Sequence, residues 1–184
     1  MKTSERREMI APTLVLFLIC LVITAALAGT YQITKPIIDE INIKNANIAR
    51  GEVLPEGEGA FTQLETELSP GVLEVYEADN KTGYVITAQD KGFGGKMTVM
   101  VGISGQGEIT GAKVTKHGET PGLGTKAMTV DYLAQYQGKV AVTRTNESDK
   151  TQIDAVTGAT VSSNAIFRAV ETSLAQIEKI GGDR

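Results

Sequence analysis

Three hydrophobic periods divide the chain. From Ile10 to Ala28 there is no polar face at all: the run is uncharged and interrupted only by Pro12, Thr13 and Thr24. About 19 such residues at a helical rise of about 1.5 Å span the roughly 30 Å hydrocarbon core of a bilayer. This predicts a membrane helix over 10–29, and the two threonines can bond back to its own carbonyls. From Tyr31 to Ala49, Ile37, Ile38, Ile41 and Ile48 recur among charged residues, predicting a helical stem that Pro36 should kink. Gly51 to Ser69, with Pro55, Gly57 and Gly59, reads as a turn-rich connector.

At Val72 the period falls to two. Val72, Leu73, Val75 and Tyr76 open a strand, and Tyr84–Ala88, Met97–Ile103 and Ile109–Thr115 follow across turns at Asn80–Gly83, Gly92–Gly95 and Gly105–Gly107. Short strands joined by short glycine turns predict an antiparallel meander. Beyond it come a Thr120–Gly124 loop, a helical stretch over Ala127–Ala134 and a strand at Val140–Thr143. A last helix, capped by Ser162 or Ser163, lines up Ile166, Val170, Leu174 and Ile177. Strands followed by a terminal helix give an α+β class, with a mainly antiparallel sheet and flanking helices. The expected divisions are an N-terminal tail 1–9, a transmembrane helix 10–29, a stem and connector 30–70, and a globular domain 71–184.

Composition narrows the chemistry. A chain of 184 residues suits one domain plus an appendage. The formal charge is −4 overall, and because Lys2, Arg6 and Arg7 outnumber Glu5 and Glu8 by one before residue 10, the rest of the chain is more acidic still, so nucleic acid is not an expected partner. Those three cations flank the apolar run, while Lys35 and Lys44 are offset by Asp39 and Glu40. The positive-inside rule therefore puts the N-terminus in the cytoplasm and the large domain outside it. Ala26-Leu27-Ala28 also fits the cleavage pattern of a signal peptide, although the apolar run exceeds the usual roughly 7–15 residues of one, which favours a retained anchor. The one cysteine, Cys20, lies within that run, so intrachain disulfides and thiolate metal sites are excluded. A single histidine, His117, removes histidine-cluster metals and leaves no local partner for a nucleophilic triad.

Gly102 to Gly107 has the spacing G-x-x-G-x-G between two strands, which is not a dinucleotide loop. Asn80-Lys81-Thr82 and Asn146-Glu147-Ser148 are glycosylation sequons only in a pathway that uses them, and otherwise turns. Two segments carry more. In Asp154-Ala155-Val156-Thr157-Gly158-Ala159-Thr160, a Gly-Ala pair admits close backbone approach, and Thr160 places a hydroxyl beside a helix N-terminus, where a phosphate is stabilised. The same small and hydroxylated residues would also serve as mere capping. In His117-Gly118-Glu119-Thr120-Pro121-Gly122-Leu123-Gly124, a proline and glycines fix a loop that carries polar groups, either a ligand-facing loop or a plain turn.

At these two segments the chain resembles the FMN-binding family typified by the G subunit of Rnf-type ion-translocating electron transport complexes, and more distantly by the C subunit of sodium-translocating NADH:quinone reductase. The likeness extends to the short basic N-terminus and single membrane helix. It implies covalent FMN, attached through a phosphoester to Thr160 by a dedicated flavin transferase, which makes the chain a phosphoprotein. Asp154, Thr157, Gly158 and Ala159 would form the recognition frame, with Thr157 standing where serine is commoner. It implies further that His117, Glu119, Thr120, Gly122, Leu123 and Gly124 lie against the flavin, Leu123 shielding the ring and Glu119 tuning it.

The function so implied is that of a membrane-anchored flavoprotein relaying electrons inside a ferredoxin:NAD oxidoreductase of the cell membrane. Its partners would be the other membrane and peripheral subunits, the transferase and membrane lipid. The chain is expected to act as an electron-transfer subunit of an oxidoreductase, without a catalytic acid, base or metal of its own. A stand-alone flavin carrier, the reductase C subunit and a flavin-free sensor or adhesion module are the alternatives.

Overall fold

A computed structural model describes residues 2–143 and 152–182, and for residues 2–9 and 11 the backbone alone. The second sequon falls on Asn146, outside the described residues. The chain divides into two compact units, Met1–Lys44 and Asn45–Arg184.

The described residues of the first unit are all helical. Helix α1 (Lys2–Val53) runs on through Pro12 and Pro36, and its last turns, from Asn45, belong to the second unit. Pro36 has no amide to offer the carbonyl of Gln32, so one rung of the ladder is lost there. Nearby, the Thr30 and Thr34 hydroxyls donate to the carbonyls of Ala26 and Thr30 at 2.9 and 2.8 Å. The stretch from Pro12 is long and apolar enough to cross a membrane. Leu14, Leu16, Phe17 and Leu18 are each more than half exposed, as lipid-facing side chains would be.

The second unit is built on five antiparallel strands in sequential order: β1 (Phe61–Gln63), β2 (Val72–Ala78), β3 (Gly83–Lys91), β4 (Lys96–Ser104) and β5 (Ile109–Lys116). The four strands expected from the alternation are present, and the fold is α+β. Strand β1 is an addition inside the expected connector, pairing Phe61 with Ala78 and Gln63 with Tyr76. The rest of that connector is held by Gln176, a fully buried side chain of the last helix. It accepts from the Ser69 amide at 2.8 Å and donates to the Glu67 carbonyl at 2.9 Å.

Period-two alternation sorts the sheet into two faces. On one, Val75, Ile86, Val99, Val101 and Ile103 meet Ala165, Ile166, Ala169 and Val170 of helix α3 (Thr160–Gly182). Burying each of Ile166 and Val170 contributes roughly 1.5–3 kcal/mol relative to exposure. On the other, Val85, Ala78 and Met100 meet Ala49, Val53 and Leu54 from the end of α1. There Gly102 and Gly111 sit opposite each other across β4 and β5 and make a dent for Val53. A Cβ on Gly102 would stand 2.1 Å from the Val53 carbonyl oxygen, which also accepts from the Thr110 hydroxyl at 2.5 Å. That hydroxyl gives a helix C-terminal carbonyl its partner. Arg50 stacks its guanidinium 3.6 Å over the Tyr76 ring on the same face.

Three expectations are corrected. Val140–Thr143 forms no strand: Lys139 and Gly138 bond to the backbone of Ile109, and Thr143 makes one isolated bridge to Gln152. The region read as helical after the loop is a 3-10 turn at Gly124–Met128 followed by the short helix α2 (Val130–Ala134), capped by Thr129. Helix α3 begins at Thr160, so Ser162 and Ser163 lie in its first turn and cap nothing.

Candidate cofactor-binding site

Three segments converge at one end of the sheet. The β3–β4 hairpin closes through Gly92, whose amide donates to the Gly95 carbonyl at 2.8 Å, and so lifts Phe93 to the tip. Strand β5 runs out into the 117–124 loop. There Gly122 takes a positive φ of 79° after Pro121, a turn conformation that glycine adopts without strain, and its amide donates to Thr125 Oγ1 at 2.9 Å. The third segment is the 154–159 loop entering α3. Its turn closes through the Ala159 amide donating to the Val156 carbonyl, with Gly158 also at φ 79°.

Between them lies a cleft of about 330 Å³. Phe93, Glu119, Thr120, Leu123 and Gly124 form one side, and Gly158, Ala159, Thr160, Val161 and Ser162 the other. Its rim is apolar and open: Phe93 is 76% exposed and Leu123 58%. A flat, largely apolar ring system fits such walls, and the positive end of the 23-residue helix α3 meets it at Thr160.

Seven of the eleven residues singled out in the sequence thus line one cleft, and four do not. His117 is exposed, and its Nδ1 accepts from the Glu119 amide at 3.3 Å. Gly122 shapes the turn behind Leu123. Asp154 is exposed and does not line the cleft, and its amide donates to Gln135 Oε1 at 2.9 Å. Thr157 is also exposed and outside the cleft.

Glu119 differs from the expectation of a carboxylate facing a ligand. It is 6% exposed; Oε1 accepts from the Gly94 amide at 3.0 Å, and Oε2 accepts from the Ser162 hydroxyl at 2.9 Å. Sequence reading missed Phe93, Val161 and Ser162. For Phe93 the signal was there: an aromatic residue among three glycines at a hairpin tip has no core to enter.

The serine and threonine hydroxyls of residues 157–163 have unequal fates. Ser162 is buried and donates to Glu119. Ser163, also buried, donates to the Ala159 carbonyl at 2.9 Å and accepts from the Val156 amide at 3.0 Å. Thr157 is exposed and does not line the cleft. Thr160 alone is both exposed and part of the cleft wall.

Fold and cleft describe an anchored α+β ligand-binding domain, and comparison with known proteins agrees. An FMN-binding domain matches over residues 92–175, and the RnfG N-terminal region over residues 1–47. The G subunit of the Na(+)-translocating ferredoxin:NAD(+) oxidoreductase complex of Acetobacterium woodii is 35% identical, covering 88% of this chain and 87% of that protein. The G subunit of the proton-translocating ferredoxin:NAD(+) oxidoreductase complex of Clostridium ljungdahlii is 29% identical over 100% of this chain and 99% of that one. Among solved structures, Shewanella oneidensis NqrC matches 58% of this chain and 61% of its own at 25% identity and a TM-score of 0.46. The chain belongs to the family of FMN-binding G subunits of ion-translocating oxidoreductase complexes.

Proposed function

We propose that the chain carries FMN as a phosphoester on Thr160 Oγ1 and relays electrons within an Rnf-type ferredoxin:NAD oxidoreductase. In this reading α1 anchors it in lipid and the domain is extracytoplasmic. The observation that carries the attachment is the fate of the four hydroxyls. Ser162 and Ser163 are buried and bonded, Thr157 is exposed but does not line the cleft, and Thr160 is exposed within it at the positive end of α3. A phosphate there gains typically about 0.3–1 kcal/mol, up to about 2 kcal/mol when partly buried.

Forming the ester from free FMN would require loss of water, so an activated donor is needed. With a flavin dinucleotide, Thr160 Oγ1 bonds to phosphorus, the pyrophosphate P–O bond breaks, and nucleoside monophosphate leaves while the hydroxyl proton passes to a base of the transferase. The exposure of Asp154 and Thr157 outside the cleft supports their being read by that enzyme. Once bound, the flavin supplies the redox chemistry. The residues of this chain that would hold it are Phe93 and Leu123 at the apolar rim, for the ring, and Thr160 at the helix end, for the phosphate.

The test is in-gel flavin fluorescence after denaturing electrophoresis of the full chain, expressed with its transferase. The parent band and Thr157→Ala should fluoresce, and Thr160→Ala should be dark while melting within about 2 °C of the parent, as an exposed substitution does. A fluorescent Thr160→Ala band would place the attachment elsewhere.

A further inference from the structure

We propose that Glu119 is the positioning residue of this cleft: its buried carboxylate locks the β3–β4 tip, the 117–124 loop and the first turn of α3 into one frame, and so sets where Phe93 and Leu123 hold the ring. The inference rests on FMN being attached at Thr160.

The geometry is a clamp with no spare room. One oxygen takes the Gly94 amide beside Phe93, and the other takes the Ser162 hydroxyl two residues beyond Thr160. Glycines line the space around them. A Cβ on Gly92 would stand 2.3 Å from Oε1, and one on Gly124 would stand 2.2 Å from Oε2. Gly94 and Gly118 meet just as closely, since a Cβ on Gly94 would stand 2.1 Å from the Gly118 carbonyl oxygen. Three segments far apart in sequence therefore share one carboxylate, and each also contributes residues to the cleft wall. A carboxylate beside the first turn of α3 also meets the favourable end of its dipole. Without it, the Gly94 amide and the Ser162 hydroxyl would each lose an acceptor, and a hairpin tip of three glycines would keep little to fix it.

A glutamine can replace both bonds: its amide oxygen accepts from Gly94, and its amide nitrogen donates to Ser162 Oγ once that hydroxyl turns. The clamp is thus a matter of shape and hydrogen bonding, and the conservative variant should rescue it.

The experiment compares full-length flavinylated parent, Glu119→Gln, Glu119→Ala, Ser162→Ala and Gly124→Ala by visible-region flavin circular dichroism and flavin fluorescence anisotropy. Hydrogen exchange over residues 92–95 is measured in parallel. Glu119→Ala should lose at least about half of the visible dichroism, lower the anisotropy and speed exchange at the tip. Gly124→Ala, which displaces the intact carboxylate, should do the same, Ser162→Ala should lose less, and Glu119→Gln should stay with the parent. Should Glu119→Ala fail to fold, Ser162→Ala and Gly124→Ala decide in its place. Parent-like signals in the variants that fold, or a Glu119→Gln as disturbed as Glu119→Ala, overturn the clamp while leaving attachment intact. A parent chain without covalent flavin overturns the functional reading instead, and the clamp with it.

Discussion

The brace beneath the attachment loop can be measured by removing one oxygen atom. Ser163 Oγ accepts from the Val156 amide at 3.0 Å and donates to the Ala159 carbonyl at 2.9 Å, fastening the 154–159 loop to the helix that follows. In Ser163→Ala the Val156 amide loses its acceptor in a partly buried setting, a cost of about 1–3 kcal/mol. A control exists further along the same helix. Ser173 is equally buried and donates to the Ala169 carbonyl at 2.8 Å, the same back-bond within the helix. Losing such a back-bond costs little, and alanine is the better helix former, so Ser173→Ala should lie within about 0.5 kcal/mol of the parent.

The difference between the two variants isolates the tie to the loop, and we expect about 1–2 kcal/mol, or about 3–8 °C in melting temperature for a unit of this size. Thermal circular dichroism of the full chain in detergent reads it, and a time course of in-gel fluorescence reads its consequence: Ser163→Ala should label severalfold more slowly, with Ser173→Ala at the parent rate. If the two variants melt together and label alike, Ser163 does not brace the loop, and the presentation of Thr160 rests on something else.

Two further outcomes are expected. Gly102→Ala should destabilise the domain by about 1–3 kcal/mol in thermal unfolding, because its Cβ would collide with the Val53 carbonyl. Gly105→Ala, whose nearest neighbour is 3.6 Å away, should be close to neutral. A tag placed after Arg184 should react with a membrane-impermeant reagent on intact cells, as the cations before Ile10 imply, and labelling only after the membrane is opened would reverse the topology.

The strands were legible because β3 and β4, covered on both faces, read as short apolar runs between glycine turns, while β2 and β5, less fully covered, mix apolar with polar positions. β1 was not, since Phe61-Thr62-Gln63 is too short to show either pattern, and its neighbours are held by Gln176 from the far end of the chain. Val140–Thr143 has the residues of a strand but finds no open ladder. Ser162 and Ser163 look like caps because a hydroxyl before an apolar stripe usually is one. Their partners are Glu119, a tertiary neighbour that no local spacing announces, and Val156, in the loop that leads into the helix. The loop and the threonine motif could be read as chemistry, whereas the inward turn of Glu119 depends on glycines at 92, 94 and 124 arriving together in space.

The last turns of α1 and the cleft occupy opposite faces of the sheet, with Val53 seated over Gly102 and Gly111, toward the other end of β4 from the hairpin that bears Phe93. The docked last turns of α1 and the working surface are consequently separate fixtures on one plate. The mouth of the cleft is thereby left clear of the last turns of α1 for whatever must approach to deliver or take an electron.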